Sequence, residues 1–297
     1  MWIRKQTVEV LSANIRRIVD GEGADLLDNR EGKLSILRND IQTLVRLKQE
    51  QADALRRDKN RLKDSLSDIS HQLKTPLTSM MVMADLLETA PPEKQAELIR
   101  NIQTGLTRTQ WLTDALLKIA KLDAQAVDFR YQRASAAEII RRALEPLMIL
   151  LEMKEQEIKT AGAATLTCDV RWTAEALLNV VKNASEHSPA GSPILIACGE
   201  NPICAWISVT DNGPGLQPQE LSRIFRRFQG GEGSPGYGIG LPLSQTILRG
   251  QNGDLEADSG LYGLPPHVVD LTKDAYSGAT FTLKLFRQNP EAQQKDD

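Results

Sequence analysis

Apolar residues recur at helical spacing through the first part of the chain. Leu34, Leu37, Ile41 and Leu44 alternate steps of three and four, and Leu55, Leu62 and Ile69 resume the same heptad register, which is the pattern of a coiled-coil seam. Lys48, Gln51 and Asp58 fall on seam positions in its middle, so the stretch reads either as a strained, switchable connector or as a plain solvated helix. Between Leu62 and Leu87 the apolar pattern thickens. It breaks at Thr89-Ala90-Pro91-Pro92 and restarts through Leu98, Ile102, Leu106, Leu112, Leu116 and Ile119. This predicts a hairpin of two helices of roughly 27 to 32 residues, about 40 to 48 Å long. Two such helices cannot bury their apolar stripe alone, and pairing with a second copy as a four-helix bundle solves this.

After Asp123 the texture changes. Amphipathic helices over Ala136 to Leu151 and Trp172 to His187 alternate with strands over Ile194 to Cys198, Ala205 to Thr210 and Thr280 to Phe286. The fold class is therefore α+β, with a domain boundary between Gln125 and Asp128 and a polar tail from Gln288. A length of 297 residues suits two domains at roughly 150 residues each. Apolar content of 41% and charged content of 25% are those of a globular protein, and 4% aromatics suits long helices packed through Leu, Ile and Ala.

A net charge of -3 gives no basic footprint, so a nucleic-acid partner is excluded. Apolar runs such as Leu147 to Leu151 fall far short of the roughly 20 residues that a bilayer span needs, so neither a membrane span nor a signal peptide is expected in this chain. Cys168, Cys198 and Cys204 lack CxxC spacing and suit free thiols in a reducing cytosol. Cys198 and Cys204 flank the turn Glu200-Asn201-Pro202, which would allow them to face each other across a hairpin.

His71 stands out by its position on the first long helix. With Ile69 at zero on a helical wheel, Leu62, Leu66, Leu73, Leu77 and Met80 cluster between about 20 and 80 degrees, and His71 falls near 200 degrees. It therefore points away from the seam, with Thr75 one turn on along the same outer face. Pro76 removes the amide that would bond the carbonyl of Gln72 and should bend or loosen the helix there. A lone surface histidine is the plain alternative. However, Ser67-Asp68-Ile69-Ser70-His71-Gln72-Leu73-Lys74-Thr75-Pro76-Leu77 resembles the phosphoacceptor motif of histidine kinases. That resemblance implies that His71 is the nucleophile and that Thr75 positions the water that removes phosphate from a partner protein. The family usually carries Glu or Asp where this chain has Gln72, and a Gln amide can orient the imidazole but cannot take its proton.

A second group of polar residues follows. Glu175, Asn179, Asn183 and His187 are spaced four apart on one helix, and Asn is a poor helix former, so the two amides read as aimed at a ligand or as a polar face. Alternation puts Asp211 of Asp211-Asn212-Gly213-Pro214-Gly215 on the same face as Ile207 and Val209. A carboxylate there either caps the turn or accepts from a ligand donor such as the exocyclic amine of adenine. Past Ile224, Phe225 and Phe228 comes Gly236-Tyr237-Gly238-Ile239-Gly240-Leu241. Alternate glycines let backbone amides approach phosphate, and a helix starting near Leu241 adds its positive end. The spacing matches neither a Rossmann fingerprint nor a Walker loop.

The order of these segments, closing on Ser277-Gly278-Ala279-Thr280-Phe281, resembles the catalytic ATP-binding domain of histidine kinases, a Bergerat-type α/β sandwich related to those of gyrase and MutL. The resemblance covers about residues 60 to 286. It implies that ATP and Mg²⁺ bind, with Asn183 on the metal, Asp211 on adenine, Gly213 and Gly215 shaping the base pocket, and Gly236, Gly238 and Gly240 holding the phosphate side. Asn179, Leu241 and Thr280 complete the implied site, and His187 stands where the family often has Tyr. Lys182, Arg226 and Arg227 read equally as phosphate contacts and as solvated charges. Where related ATPases place a water-activating Glu, this chain has Asn179, which cannot act as a base.

The resemblance as a whole is to a sensor histidine kinase of a two-component system. It implies a homodimer, a separate response-regulator receiver domain as partner, and a place in the cytoplasm or as the cytoplasmic part of a membrane-bound sensor. Asp28 to Leu34 resembles the end of a HAMP linker. The expected organisation is 1–33 HAMP-like, 34–59 signalling coiled coil, 60–127 dimerisation and phosphotransfer, and 128–297 catalytic. Leu261 to Tyr276, with His267, reads as an inserted surface loop. Two rival readings are an ATP-binding adaptor that transfers little phosphate because of Gln72, and a water-using ATPase, against which Asn179 argues.

Overall fold

The computed structural model describes residues 33–228, 238–259 and 278–287. Residues 1–32 of the HAMP-like segment, Gly236 and the 261–276 insertion lie outside the described residues. The chain divides into two units, Met1–His71 and Gln72–Asp297.

Helix α1 runs Lys33–Thr89, 57 residues without interruption. The seam register and the first arm of the hairpin are thus one helix, longer than the separate arm that the pattern suggests, and it continues through Pro76. In the first unit the seam residues Leu44 and Leu55 are exposed, as is Leu47 beside them, so the single chain leaves these seam positions uncovered. In the second unit α1 ends where Pro91 takes an extended backbone and Pro92 occupies the first position of α2, Pro92–Asp123. Proline loses no hydrogen bond at that place, and Glu93 in the first turn complements the helix dipole. Met80 is buried against Gly105, where any Cβ would meet its sulfur at 2.7 Å. Gln125 takes a left-handed backbone with φ 51° and ends α2, helped by the Ala126 amide donating to the Lys121 carbonyl at 2.9 Å.

Next come β1 (Gln132–Ser135), α3 (Ala136–Leu144), a 3₁₀ turn (Glu145–Leu147), α4 (Met148–Met153), β2 (Ile158–Gly162) and β3 (Thr165–Cys168). The chain continues with α5 (Val170–His187), β4 (Ile194–Glu200), β5 (Cys204–Thr210), α6 (Pro218–Leu221), α7 (Gly240–Arg249), β6 (Gly253–Ser259) and β7 (Ala279–Phe286). Caps set the helix starts: Ser135 Oγ accepts from the Glu138 amide, and Asp169 Oδ1 accepts from Arg171 and Trp172.

The main sheet has the order β2-β4-β5-β7-β6, with β2 parallel to β4 and the other pairs antiparallel, while β1 and β3 make a separate ladder. Register aligns Ile196, Val209, Phe281 and Ala257 across four strands, and Cys198, Ile207, Leu283 and Leu255 beside them. This face joins α3, α5 and α7 in one core, completing an α/β sandwich. The C-terminal half of α2 enters the same core through Leu112, Ala115, Ile119 and Leu122. The α+β expectation therefore holds.

Register decides between the two arrangements open to the cysteines. Cys198 lies opposite Ile207 on the core face, so Cys204, three residues before Ile207, lies on the other face and cannot meet it. All three cysteines are free and buried. The sequence pattern missed β1, β2, β3 and β6: β1 and β3 are only four residues long, and β6 carries Asp254, Glu256 and Asp258, which mask its alternation. The helix expected over Ala136 to Leu151 is broken at Glu145-Pro146 by the proline.

Phe281→Ala should destabilise the fold by about 3–5 kcal/mol, because Phe281 is among the largest fully enclosed side chains. Lys284→Ala, which removes only a part-exposed pair with Glu256, should cost under about 1 kcal/mol. Urea unfolding followed by circular dichroism measures both, and equal losses would contradict the placement of the core.

Candidate functional site

Asp211 follows β5 directly and is buried at 2% exposure. Its Oδ1 accepts from the amides of Gly213 and Ala279, each at 2.9 Å. Its backbone is tied to the same strand end, the amide donating to Ala279 at 3.0 Å and the carbonyl accepting from Gly278 at 3.2 Å. One oxygen therefore does act as the turn acceptor, while no described residue donates to Oδ2. Burial pushes the carboxyl above the ordinary aspartate range, against the lowering effect of those two amides and of His187.

Glycines fit closely around this carboxylate. A Cβ on Gly278 would overlap Asp211 Oδ1, and one on Gly213 would stand 2.9 Å from the His187 carbonyl. Gly215 and Gly238 are left-handed, with φ of 76° and 64°. The Asn212 amide donates to Ser188 Oγ at 3.1 Å, which pins the Asp211 loop to the end of α5. Thr280 and Thr210 share a hydroxyl hydrogen bond of 2.9 Å beneath the loop. The sequence carries no signal for Ser188, and Gly278 shows there only as part of the Ser277-Gly278 pair.

The polar stripe on α5 divides by role. Glu175 is held by Lys118 of α2 at 2.7 Å. Asn179 is 4% exposed, and its Nδ2 is the one buried side-chain nitrogen or oxygen among the described residues with no hydrogen-bond partner. A buried orphan donor is unfavourable unless something completes it. Asn183 is half-buried and His187 exposed. Gly240, at the start of α7, lies against Asn179, where an added Cβ would stand in ordinary contact at 3.7 Å from that of Asn179. Phe228 and Gly238, the residues on either side of 229–237, are joined by a 3.0 Å amide-to-carbonyl bond. Leu241 is half-buried in the first turn of α7.

These groups suit a purine nucleotide: an anchored carboxylate for an exocyclic amine, glycines that clear space for the base, and a buried amide beside a helix start. Among the described residues no three His, Cys, Asp or Glu side chains cluster to hold a metal. The Asn183 amide oxygen is a hard ligand suited to Mg²⁺ shared with phosphates. Two cations considered for phosphate are already engaged. Lys182 Nζ lies 5.1 Å from the Trp111 ring centroid, and Arg227 bonds Asp123. On α1, His71 and Thr75 are exposed and Gln72 is half-buried.

Comparison with known proteins agrees with this arrangement. Residues 61–125 match the model of the His Kinase A phospho-acceptor domain, and 168–289 match that of the histidine kinase-, DNA gyrase B-, and HSP90-like ATPase. The sensor protein IrlS of Burkholderia pseudomallei is 27% identical over 70% of this chain and 45% of its own length. The swarming motility regulation sensor protein RssA of Serratia marcescens is 28% identical over 68% of this chain and 44% of its own. The chain thus spans less than half the length of these relatives. In fold it is similar to the histidine kinase AdeS of Acinetobacter baumannii, with a TM-score of 0.58, 18% identity, and coverage of 74% of this chain and 98% of that one. It is also similar to full-length ShkA in complex with AMPPNP, with a TM-score of 0.53, 22% identity, and coverage of 76% and 46%. No helix among the described residues is long and apolar enough to cross a membrane. With both domain models matched in order along one chain, the protein belongs to the sensor histidine kinases of two-component systems.

Proposed function

We propose that this chain binds ATP with Mg²⁺, phosphorylates its own His71, and passes the phosphoryl group to an aspartate of a separate response regulator. The observation that carries this reading is Asp211, a buried carboxylate with one oxygen fixed by two amides and the other left for the amine of adenine. Gly213 and Gly215 leave room for the base, His187 lies beside it, and Thr280 supports the loop through Thr210. Gly236, Gly238, Gly240 and Leu241 hold the phosphate side, and the Asn179 amide finds its missing acceptor there. Asn183 holds the Mg²⁺, which neutralises charge on the phosphates when bound.

An unprotonated imidazole nitrogen of His71 attacks the γ-phosphorus. A nitrogen–phosphorus bond forms as the bond to the bridging oxygen breaks, and ADP leaves. Gln72 orients the ring by accepting from its other N–H, and that proton passes to water because an amide cannot hold it. Thr75 places the water that later hydrolyses the phosphorylated regulator. A second copy covers the leucines exposed along α1, and the segments 34–59, 60–127 and 128–297 serve as signalling connector, dimerisation and phosphotransfer domain, and catalytic domain. Gln72 also favours a second reading, a nucleotide-binding adaptor with little transfer.

Incubation with γ-labelled ATP should yield an acid-labile, alkali-stable label that His71→Ala abolishes. A label that persists in the variant sinks the assignment, and nucleotide binding with no label at all favours the adaptor. Gln72→Glu, by restoring a proton acceptor, should speed autophosphorylation by about tenfold or more. An unchanged rate would show that water serves as well.

Asp211→Asn keeps an oxygen for both amides but presents a donor to the adenine amine. Nucleotide affinity should fall about tenfold to a hundredfold, as read by calorimetric titration. Because burial raises the Asp211 pKa, its contribution to stability is present at low pH and lost as pH rises through the folded value. The variant should therefore melt no lower than the parent chain at neutral pH. In the parent chain, affinity should weaken as pH falls through that raised value. A variant that binds ATP normally would remove Asp211 from the site.

A further inference from the structure

Asp123 and Arg227 are 104 positions apart, yet Nη2 of the arginine donates to both carboxylate oxygens, at 3.0 and 2.8 Å. Asp123 is the last residue of α2, and Arg227 stands directly before Phe228, whose amide donates to the Gly238 carbonyl at 3.0 Å. Gly238 is two residues from Gly240, which abuts Asn179. The residue after Arg227 is thus tied to the glycines on the phosphate side of the proposed nucleotide site, while the guanidinium is turned onto Asp123.

The backbone at this point is under constraint. Phe228 has φ 63°, a left-handed conformation that a bulky aromatic residue rarely adopts and that persists only where surrounding contacts impose it. The ion pair itself is built to release. Its side chains are 33% and 48% exposed, so water screens it, and only one guanidinium nitrogen is used where the full fork would offer two parallel bonds. A nucleotide polyphosphate carries more charge than a carboxylate and matches the fork as well.

We propose that Arg227 is a phosphate-binding residue of the nucleotide site that Asp123 withholds in the resting chain, so that the α2 carboxylate and the ATP polyphosphate compete for one guanidinium. ATP binding then breaks the Asp123–Arg227 contact at the end of α2, and loss of that one contact makes ATP bind more tightly. The Lys118–Glu175 pair, at 2.7 Å, also joins α2 to this domain but holds no group that meets phosphate. It is therefore the natural control. This inference rests on the ATP-binding reading and deepens it.

The test is calorimetric titration of the full chain with AMPPNP and Mg²⁺, and with AMP. Asp123→Asn should tighten AMPPNP roughly two- to fivefold and leave AMP unchanged, while Lys118→Gln should alter neither. Arg227→Gln should weaken AMPPNP, and adding Asp123→Asn to it should then have no effect. The proposal is overturned if Asp123→Asn leaves AMPPNP affinity unchanged, if it acts equally in the Arg227→Gln background, or if Lys118→Gln tightens AMPPNP as much. Absence of AMPPNP binding by the unaltered chain would overturn the nucleotide reading itself. Binding without coupling overturns this inference alone, and neither result depends on whether His71 is phosphorylated.

Discussion

The site depends on one oxygen atom. Asp211 Oδ1 gathers the amides of Gly213 and Ala279, and so closes the loop after β5 onto the start of β7. Fixing both amides on one oxygen leaves the second carboxylate oxygen for the ligand of the proposed reading. It also demands Gly278, since any larger residue would overlap that oxygen. The sheet register follows the same geometry, because Thr210 pairs with Thr280 immediately beside the clamp. The cost is a charge in a buried place, visible as the raised carboxyl pKa, and binding proteins commonly accept such local strain where a ligand is to be held.

Much of this was legible in the chain because the chemistry sits in short, continuous segments. Asp211 with its following glycines, the two asparagines one turn apart on α5, and His71 ahead of Pro76 are each local patterns, and each lies on the element type that its surroundings predicted. Side-chain partners across long separations were not legible. In the sequence Arg227 and Lys182 read equally as phosphate contacts and as solvated charges, and no spacing rule links them to Asp123 and Trp111, the distant residues that hold them. The polar β6 concealed itself because its outward positions carry acids, and the four-residue β1 and β3 are too short for alternation to register. Free thiols were legible from the lack of paired spacing, but the faces of Cys198 and Cys204 were not, since strand parity alone separates them and parity depends on where the turn falls.

The C-terminal half of α2 belongs physically to two structures. Its sequence continues the hairpin, yet Leu112, Ala115 and Ile119 are enclosed by the same core as α5 and α7, and Lys118 and Asp123 reach charged partners in the catalytic domain. Packed interiors shift between discrete arrangements and do not deform smoothly, so a rotation of this half of α2 is carried into the core that it shares with α5 and α7.

The orphan amide of Asn179 has a thermodynamic consequence of its own. A folded chain that buries an unsatisfied donor lies above its lowest free energy. On the nucleotide reading, the completing acceptor comes from a metabolite whose concentration the cell varies. By mass action the stability of the folded chain then rises with the logarithm of that concentration, so the site that holds the ligand is also a place where the ligand holds the fold.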